Sequence, residues 1–222
     1  MHPNRAAVTI DEMDDYPTPK RILDKGVSLS LLVLLSPVFA VVATAMGAGM
    51  LVQPGDRGPW LYRERRISRG RGFDLLKFRT LRRDVLEASA GEEAHARLLE
   101  ADPANLTWAG RHILKPWYLD ELPQLWNVLR GDMSLVGPRP WPPSMVRSQV
   151  EKGYMYRNEF VAGWTGPAQV QKGVTESAGY TELDVDYVSR CRRSTARDIV
   201  RMDIALLWRT VRVLARGEGL TY

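Results

Sequence analysis

Residues 26–52 read GVSLSLLVLLSPVFAVVATAMGAGMLV, without one charged side chain. As a single helix this stretch would be about 40 Å long, more than the ~30 Å hydrocarbon core of a bilayer, so the first expectation is one membrane span. The flanks argue otherwise. Lys20, Arg21 and Lys25 precede the run, and Arg57, Arg63, Arg65, Arg66, Arg69 and Arg71 follow it. Basic flanks stay on the cytoplasmic side, and a single span cannot put both ends there. Ser36-Pro37 falls mid-run, where proline removes a helical hydrogen bond and bends the axis. The serine hydroxyl can satisfy part of the freed backbone inside lipid. The two arms, of roughly ten and fifteen residues, are each too short to cross. The reading is a re-entrant helix-break-helix hairpin that enters and leaves through one face, preferred to a tilted single span.

Working outward, residues 1–19 are polar, with Pro3, Pro17, Pro19 and an acidic cluster at Asp11, Glu12, Asp14 and Asp15. They read as a flexible extension, and they lack the basic start and cleavage site of a signal peptide. The chain thus divides into an extension (1–19), a membrane hairpin (20–52) and a globular domain (53–222). In all there are 31 Lys and Arg against 26 Asp and Glu, an excess that favours anionic partners such as phosphates or anionic lipid. Nucleic acid is set aside, because no binding module or base-stacking aromatic array is visible. One cysteine, Cys191, excludes an internal disulfide, and three scattered histidines make a zinc centre improbable.

After the hairpin, residues 53–60 are turn-rich, and the segments around Trp60–Arg63 and Phe73–Thr80 flank the basic stretch ISRGRG. That pattern predicts a β-hairpin with arginines at its tip, on which Lys77 and Arg79 share a face. Residues 82–100 read as a charged, exposed helix with little functional signal. The segment 118–140, YLDELPQLWNVLRGDMSLVGPRP, carries the chemistry. Asp120 and Glu121 open an apolar-periodic helix through Leu122, Leu125, Trp126 and Leu129, with Asp120 at its N-cap or first turn and Pro123 in that turn. Arg130-Gly131 ends it. Gly137-Pro138-Arg139-Pro140 then holds one arginine in a rigid extended turn. Acidic pair and fixed arginine together point to phosphate chemistry. Beyond them the pattern predicts a helix over 142–156, a glycine-punctuated loop with a short strand over 161–175, and a final helix over 197–214. In that last helix Ile199, Met202, Ile204, Leu207, Trp208, Val211 and Leu214 oppose four arginines, suiting either a membrane surface or a core.

KFRT at 77–80, LDELPQLWNVLRGDMSLVGPRP at 119–140, GWTGPAQV at 163–170 and DVDYV at 184–188 resemble the bacterial sugar transferases. These are monotopic polyprenyl-phosphate phosphoglycosyl transferases, and the likeness runs from residue 20 to about 214. It implies an α+β, mainly helical protein: a re-entrant membrane hairpin, then a catalytic domain on the cytoplasmic face of the bacterial inner membrane, with interfacial amphipathic helices and a small β-hairpin. The implied reaction moves a sugar-1-phosphate from a UDP-sugar to polyprenyl (undecaprenyl) phosphate, releases UMP and initiates polysaccharide or glycoconjugate assembly. Asp120 would be the nucleophile, forming a phosphosugar-aspartyl intermediate; Glu121 would hold Mg²⁺, together with Asp120, or steer protons. Lys77, Arg79, Lys115, Pro138, Arg139, Pro140 and Gln169 are the implied substrate-binding set, with Lys77, Arg79 and Gln169 open between ligand and scaffold. Expected partners are the UDP-sugar, polyprenyl phosphate and membrane lipid; downstream glycosyltransferases and a second copy are compatible with the reading.

The chain departs from the family pattern in named places. The approach to the dyad, Gly110-Arg-His-Ile-Leu-Lys-Pro-Trp-Tyr-Leu-Asp120, is one residue longer than usual. Lys115 stands where the family has a phosphate-binding arginine, and lysine lacks the bidentate fork. Glu64 replaces a glutamine, and Pro167 a tryptophan. Larger members carry extra spans and a soluble domain before this region, so the chain resembles the small catalytic form. A catalytically degenerate scaffold of an assembly complex is the alternative, and the intact dyad argues against it.

Overall fold

The computed structural model describes residues 16–89, 96–171 and 177–216. They form two compact units, one from residues 27–64 and 74–129, the other from residues up to 26, 65–73 and 130 onward. Among the described residues the architecture is mainly helical, with two small two-stranded sheets.

Two helices, α1 (Thr18–Leu34) and α2 (Ser36–Val52), break at Leu35 and are bent by 58°. Pro37 sits in the first turn of α2, where its missing N–H is no loss. The backbone bonds from Leu35 to Leu31 (2.8 Å) and from Phe39 to Leu35 (3.0 Å) carry the ladder to either side of the break. The break thus falls where Ser36-Pro37 placed it. Each arm has 17 residues instead of ten and fifteen, because α1 starts before the apolar run and α2 takes in Ser36-Pro37. No single helix among the described residues is long and apolar enough to cross a membrane; the bent pair has the length and composition to enter one.

One face of α2 builds the core of its unit. Val42 and Met46 are buried with Phe78, Ala109, Leu114 and Leu122, and Phe39 meets Phe78 edge to face at 5.8 Å. On the other side of the helix Val41, Leu51 and Val52 are exposed. The predicted hairpin forms from β1 (Leu61–Ser68) and β2 (Arg71–Phe78). Its two-residue turn, Arg69-Gly70, has positive φ at both positions (50° and 69°), the geometry that matches the twist of the strands. Of the helix expected over 82–100, α3 (Arg83–Ala88) and α4 (Ala96–Glu100) are seen, while 90–95 lie outside the described residues.

In the other unit, the start of α1 is fastened by polar contacts. Lys20, expected as a basic flank of the membrane segment, is fully buried: it donates to the Val136 carbonyl (2.9 Å) and pairs with Asp203. Tyr187 donates to the other oxygen of Asp203 at 2.7 Å. One helical turn on, Asp24 accepts from the Tyr16 hydroxyl (2.8 Å) and the Leu135 amide (3.1 Å). Spacing of four residues puts Lys20 and Asp24 on one inward stripe, which a charge count along the chain does not reveal.

Two three-residue strands, β3 (Ser134–Val136) and β4 (Gly163–Thr165), pair in parallel with Ser134 opposite Gly163 and Val136 opposite Thr165. Backbones meet so closely here that a Cβ on Gly163 would lie 2.0 Å from the Gly137 nitrogen. Helix α5 (Gln124–Arg130, in the first unit but for Arg130) precedes these strands, α6 (Pro143–Glu151) and α7 (Tyr156–Glu159) lie between them in the chain, and α8 (Pro167–Val170), α9 (Ser177–Arg192) and α10 (Ala196–Ala215) follow. Thr195 caps α10, its hydroxyl accepting from the Asp198 amide. That helix buries Ile199 and Leu206 with the polar Asp203 and Thr210, and leaves Ile204, Trp208, Val211 and Leu214 exposed. Its predicted apolar stripe is therefore split between a core face and an outer face.

Candidate active site

Asp120 and Glu121 lie in a single 3₁₀ turn (Leu119–Glu121) ahead of α5, not at the N-cap of that helix. The reason is local. Tyr118 adopts a left-handed conformation (φ 54°, ψ 25°), rare outside glycine, and the chain enters a tight turn directly from it. Leu122, Leu125 and Val128 anchor the segment inward, whereas Trp126, expected on the apolar stripe, is half exposed.

The lengthened approach is absorbed in the winding of the helix. Gly110–Leu114 forms a π turn, in which the Lys115 amide bonds the Gly110 carbonyl (3.0 Å), five residues back. A π turn takes up one extra residue, and such turns occur often at functional sites. Only glycine fits at its start, since a Cβ on Gly110 would be 2.5 Å from the Thr80 carbonyl oxygen.

The π turn delivers Lys115 to the dyad: its Nζ lies 3.3 Å from Asp120 Oδ2 and 2.8 Å from Glu100 Oε2. On the other side Lys77 Nζ stands 3.8 Å from Glu121 Oε1 and 3.9 Å from Glu64 Oε2. Lys77 is held there through β2, whose Leu76 amide donates to Asn127 Oδ1 (2.9 Å) while Asn127 donates to the Asp74 carbonyl (2.8 Å). Asn127, on α5, thus acts as a strand partner for β2. Burial raises the Asp120 carboxyl to about 6, against the lowering pull of Lys115. Burial would lower the Lys115 ammonium, but Asp120 and Glu100 outweigh it and the group is raised.

The other predicted residues divide. Arg79 is buried, and its guanidinium donates to the carbonyls of Pro59 (2.7 Å), Leu81 (2.7 Å) and Asp56, which places it in the scaffold. Pro138, Arg139, Pro140 and Gln169 belong to the second unit. There the Gly163 amide donates to the Pro138 carbonyl (2.9 Å), and Arg157 Nε donates to the Arg139 carbonyl (3.2 Å). Arg157 is itself buried, paired with Asp184 at 2.8 Å and stacked 3.8 Å from the Trp141 ring centre. Gln169 is buried, and neither polar atom of its amide has a hydrogen-bond partner among the described residues. Sequence reasoning missed Glu100, Asn127 and Arg157. The polar side chain of Asn127 on an otherwise apolar helix face was the one available signal.

No group of three or more His, Cys, Asp or Glu side chains among the described residues could hold a metal ion by itself. Two adjacent carboxylates are nevertheless a hard-oxygen donor set of the kind Mg²⁺ uses together with substrate phosphates.

A buried carboxylate pair, each member facing an ammonium group, thus sits in a unit whose core is built on an apolar helix. The chain belongs to the bacterial sugar transferase family, whose model matches residues 16–217. It is 34% identical over 208 residues to a UDP-glucose:undecaprenyl-phosphate glucose-1-phosphate transferase of Caulobacter vibrioides, covering 89% of this chain and 67% of that protein. It is 27% identical over 201 residues to a UDP-N-acetylgalactosamine-undecaprenyl-phosphate N-acetylgalactosaminephosphotransferase of Aeromonas hydrophila, covering 89% and 44%. It is 41% identical over 132 residues to the exopolysaccharide production protein ExoY of Sinorhizobium fredii, covering 54% and 55%. The chain spans about a third to two thirds of the length of these and the other curated relatives it matches.

Proposed function

We propose that the chain transfers a sugar-1-phosphate from a UDP-sugar to polyprenyl phosphate through a covalent intermediate on Asp120. The observation that carries this is Asp120 itself, buried yet 3.3 Å from the Lys115 ammonium. A carboxylate attacks a diphosphate only if cations offset the negative charge it approaches. Lys115 lies against Asp120 and Lys77 against Glu121, so both can meet the incoming phosphates. An Asp120 oxygen forms a bond to the β-phosphorus, the bond to the bridging oxygen breaks, and UMP leaves with that oxygen. The phosphate of the polyprenyl acceptor then attacks the same phosphorus and frees Asp120. Two displacements of this kind give ping-pong kinetics. Asp120 and Glu121 would hold Mg²⁺, which supplies further charge neutralisation of the diphosphate when bound. Arg139 is proposed as a phosphate ligand, its backbone fixed by Arg157.

The lipid acceptor requires a site at a bilayer. In this reading the bent α1–α2 pair enters the cytoplasmic face of the bacterial inner membrane and returns, and the exposed stripe of α10 rests on the headgroups. Release of UMP from a panel of UDP-sugars, in membranes containing polyprenyl phosphate, tests the proposal and identifies the sugar. Silence across the whole panel would favour a scaffold role.

A further inference from the structure

Lys115 occupies a position where the site needs a directed cation, and lysine is poorly suited to it. Its ammonium is a point charge on a flexible stem, whereas a guanidinium fork orients itself on a carboxylate or phosphate. A partly exposed lysine paired only with Asp120 would share its time with solvent. The structure supplies a third group. Glu100, the last residue of α4, has a side chain only 12% exposed, and both of its oxygens are engaged. Oε1 accepts from the Thr80 hydroxyl (2.5 Å) and Oε2 from Lys115 Nζ (2.8 Å). Thr80 is buried and fixed in turn, its carbonyl accepting from the Thr107 amide at 2.8 Å. A relay therefore runs from Thr107 through Thr80, Glu100 and Lys115 to Asp120.

We infer that Glu100 is a positioning residue: anchored by Thr80, it fixes the Lys115 ammonium beside Asp120 and makes a lysine serve where a self-orienting guanidinium would otherwise be needed. Two of the three ammonium N–H bonds are directed at Glu100 and Asp120, which leaves the third for an arriving anion. This inference rests on the proposed role of Asp120 and Lys115. The reading also gives the 82–100 region, featureless in sequence, a function at its last residue.

The test uses the full chain in detergent or membranes with the variants E100Q, K115R and the double variant. Glutamine keeps an oxygen for Thr80 but turns an N–H group toward the ammonium, so only the link to Lys115 is cut. For E100Q, kcat of UMP release is expected to fall about tenfold, with KM for the UDP-sugar within about twofold. In the K115R background the same substitution should cost less than about threefold, because the fork needs no external anchor. Equal losses in both backgrounds would overturn the inference, as would an unimpaired E100Q. A second measurement needs no turnover: the rate of acylation of Lys115 by an N-hydroxysuccinimide ester, read by mass spectrometry. Acylation should be faster in E100Q, and also faster in Thr80→Val, than in the wild type. Unchanged labelling overturns the positioning role even if no UDP-sugar proves to be a substrate, whereas faster labelling with silent activity upholds it and removes only the transferase reading.

Discussion

Replacing Asp120 by asparagine should inactivate the protein and stabilise it. The carboxyl is raised by burial from 3.8 to about 6 in the folded chain. At about 1.4 kcal/mol per pH unit, keeping it ionised at pH 7 costs the folded state about 3 kcal/mol. Asparagine is neutral and removes that cost. The attraction of Lys115 is already part of that shift. The gain of about 3 kcal/mol corresponds to a rise in melting temperature of about 6–12 °C for a chain of this size. The sign follows from the direction of the shift. A raised carboxyl leaves stability intact while it is protonated in both states, below about pH 4, and removes it progressively as pH climbs through about 6. The gap between variant and wild type should therefore be near zero at pH 4 and fully open by pH 7. Thermal unfolding of both full-length proteins in detergent, at a series of pH values, measures it directly. UMP release followed in parallel should be absent in the variant and should decline below about pH 6 in the wild type, as the nucleophile takes up a proton. An asparagine variant less stable than wild type at pH 7, or a gap that does not vary with pH, would refute the reasoning.

Gly163→Ala places a Cβ 2.0 Å from the Gly137 nitrogen and should cost about 3 kcal/mol or more by parting β3 from β4, as urea denaturation would show. Asp184→Ala leaves the Arg157 guanidinium buried without its charged partner, a loss of about 3–5 kcal/mol. The same substitution frees the clasp on the Arg139 carbonyl, so KM for the UDP-sugar should rise in those molecules that still fold. Tags at residue 1 and residue 222 should be equally protected from a membrane-impermeant reagent in intact cells; an externally labelled N-terminus would exclude the re-entrant arrangement.

What could be foreseen depended on how local the determining physics was. Proline in the first turn fixed the break of the α1–α2 pair, and a glycine turn fixed the β1–β2 hairpin; both act within a few residues. Helix α10 follows its amphipathic period and matches the expected span to within one residue at each end. The parallel pairing of β3 with β4 escaped notice because three residues show no periodicity, and their register depends on glycines far apart in the chain. At the site, the adjacency of Asp120 and Glu121 was legible, and so was the oddity of Lys115. The second partner of that lysine was not, since Glu100 arrives through a tertiary fold; likewise Lys20, expected as a basic flank of the membrane segment, is buried through its pairing with the distant Asp203. The extra residue before the dyad appeared as a disruption in sequence, and the backbone converts it into one π turn.

The packing of α2 has a practical bearing on how this protein can be handled. Val42 and Met46 fill the same core as Phe78, Ala109, Leu114 and Leu122, and Leu119, from the turn that carries the dyad, packs against it. Deleting the first 52 residues would therefore cut into the core of the unit that holds the dyad. It would uncover four buried side chains and remove two more, at about 1.5–3 kcal/mol for each large one. Solubility has to be engineered on the outward face of that helix, at positions such as Val41, Leu51 and Val52, while the inward face stays apolar.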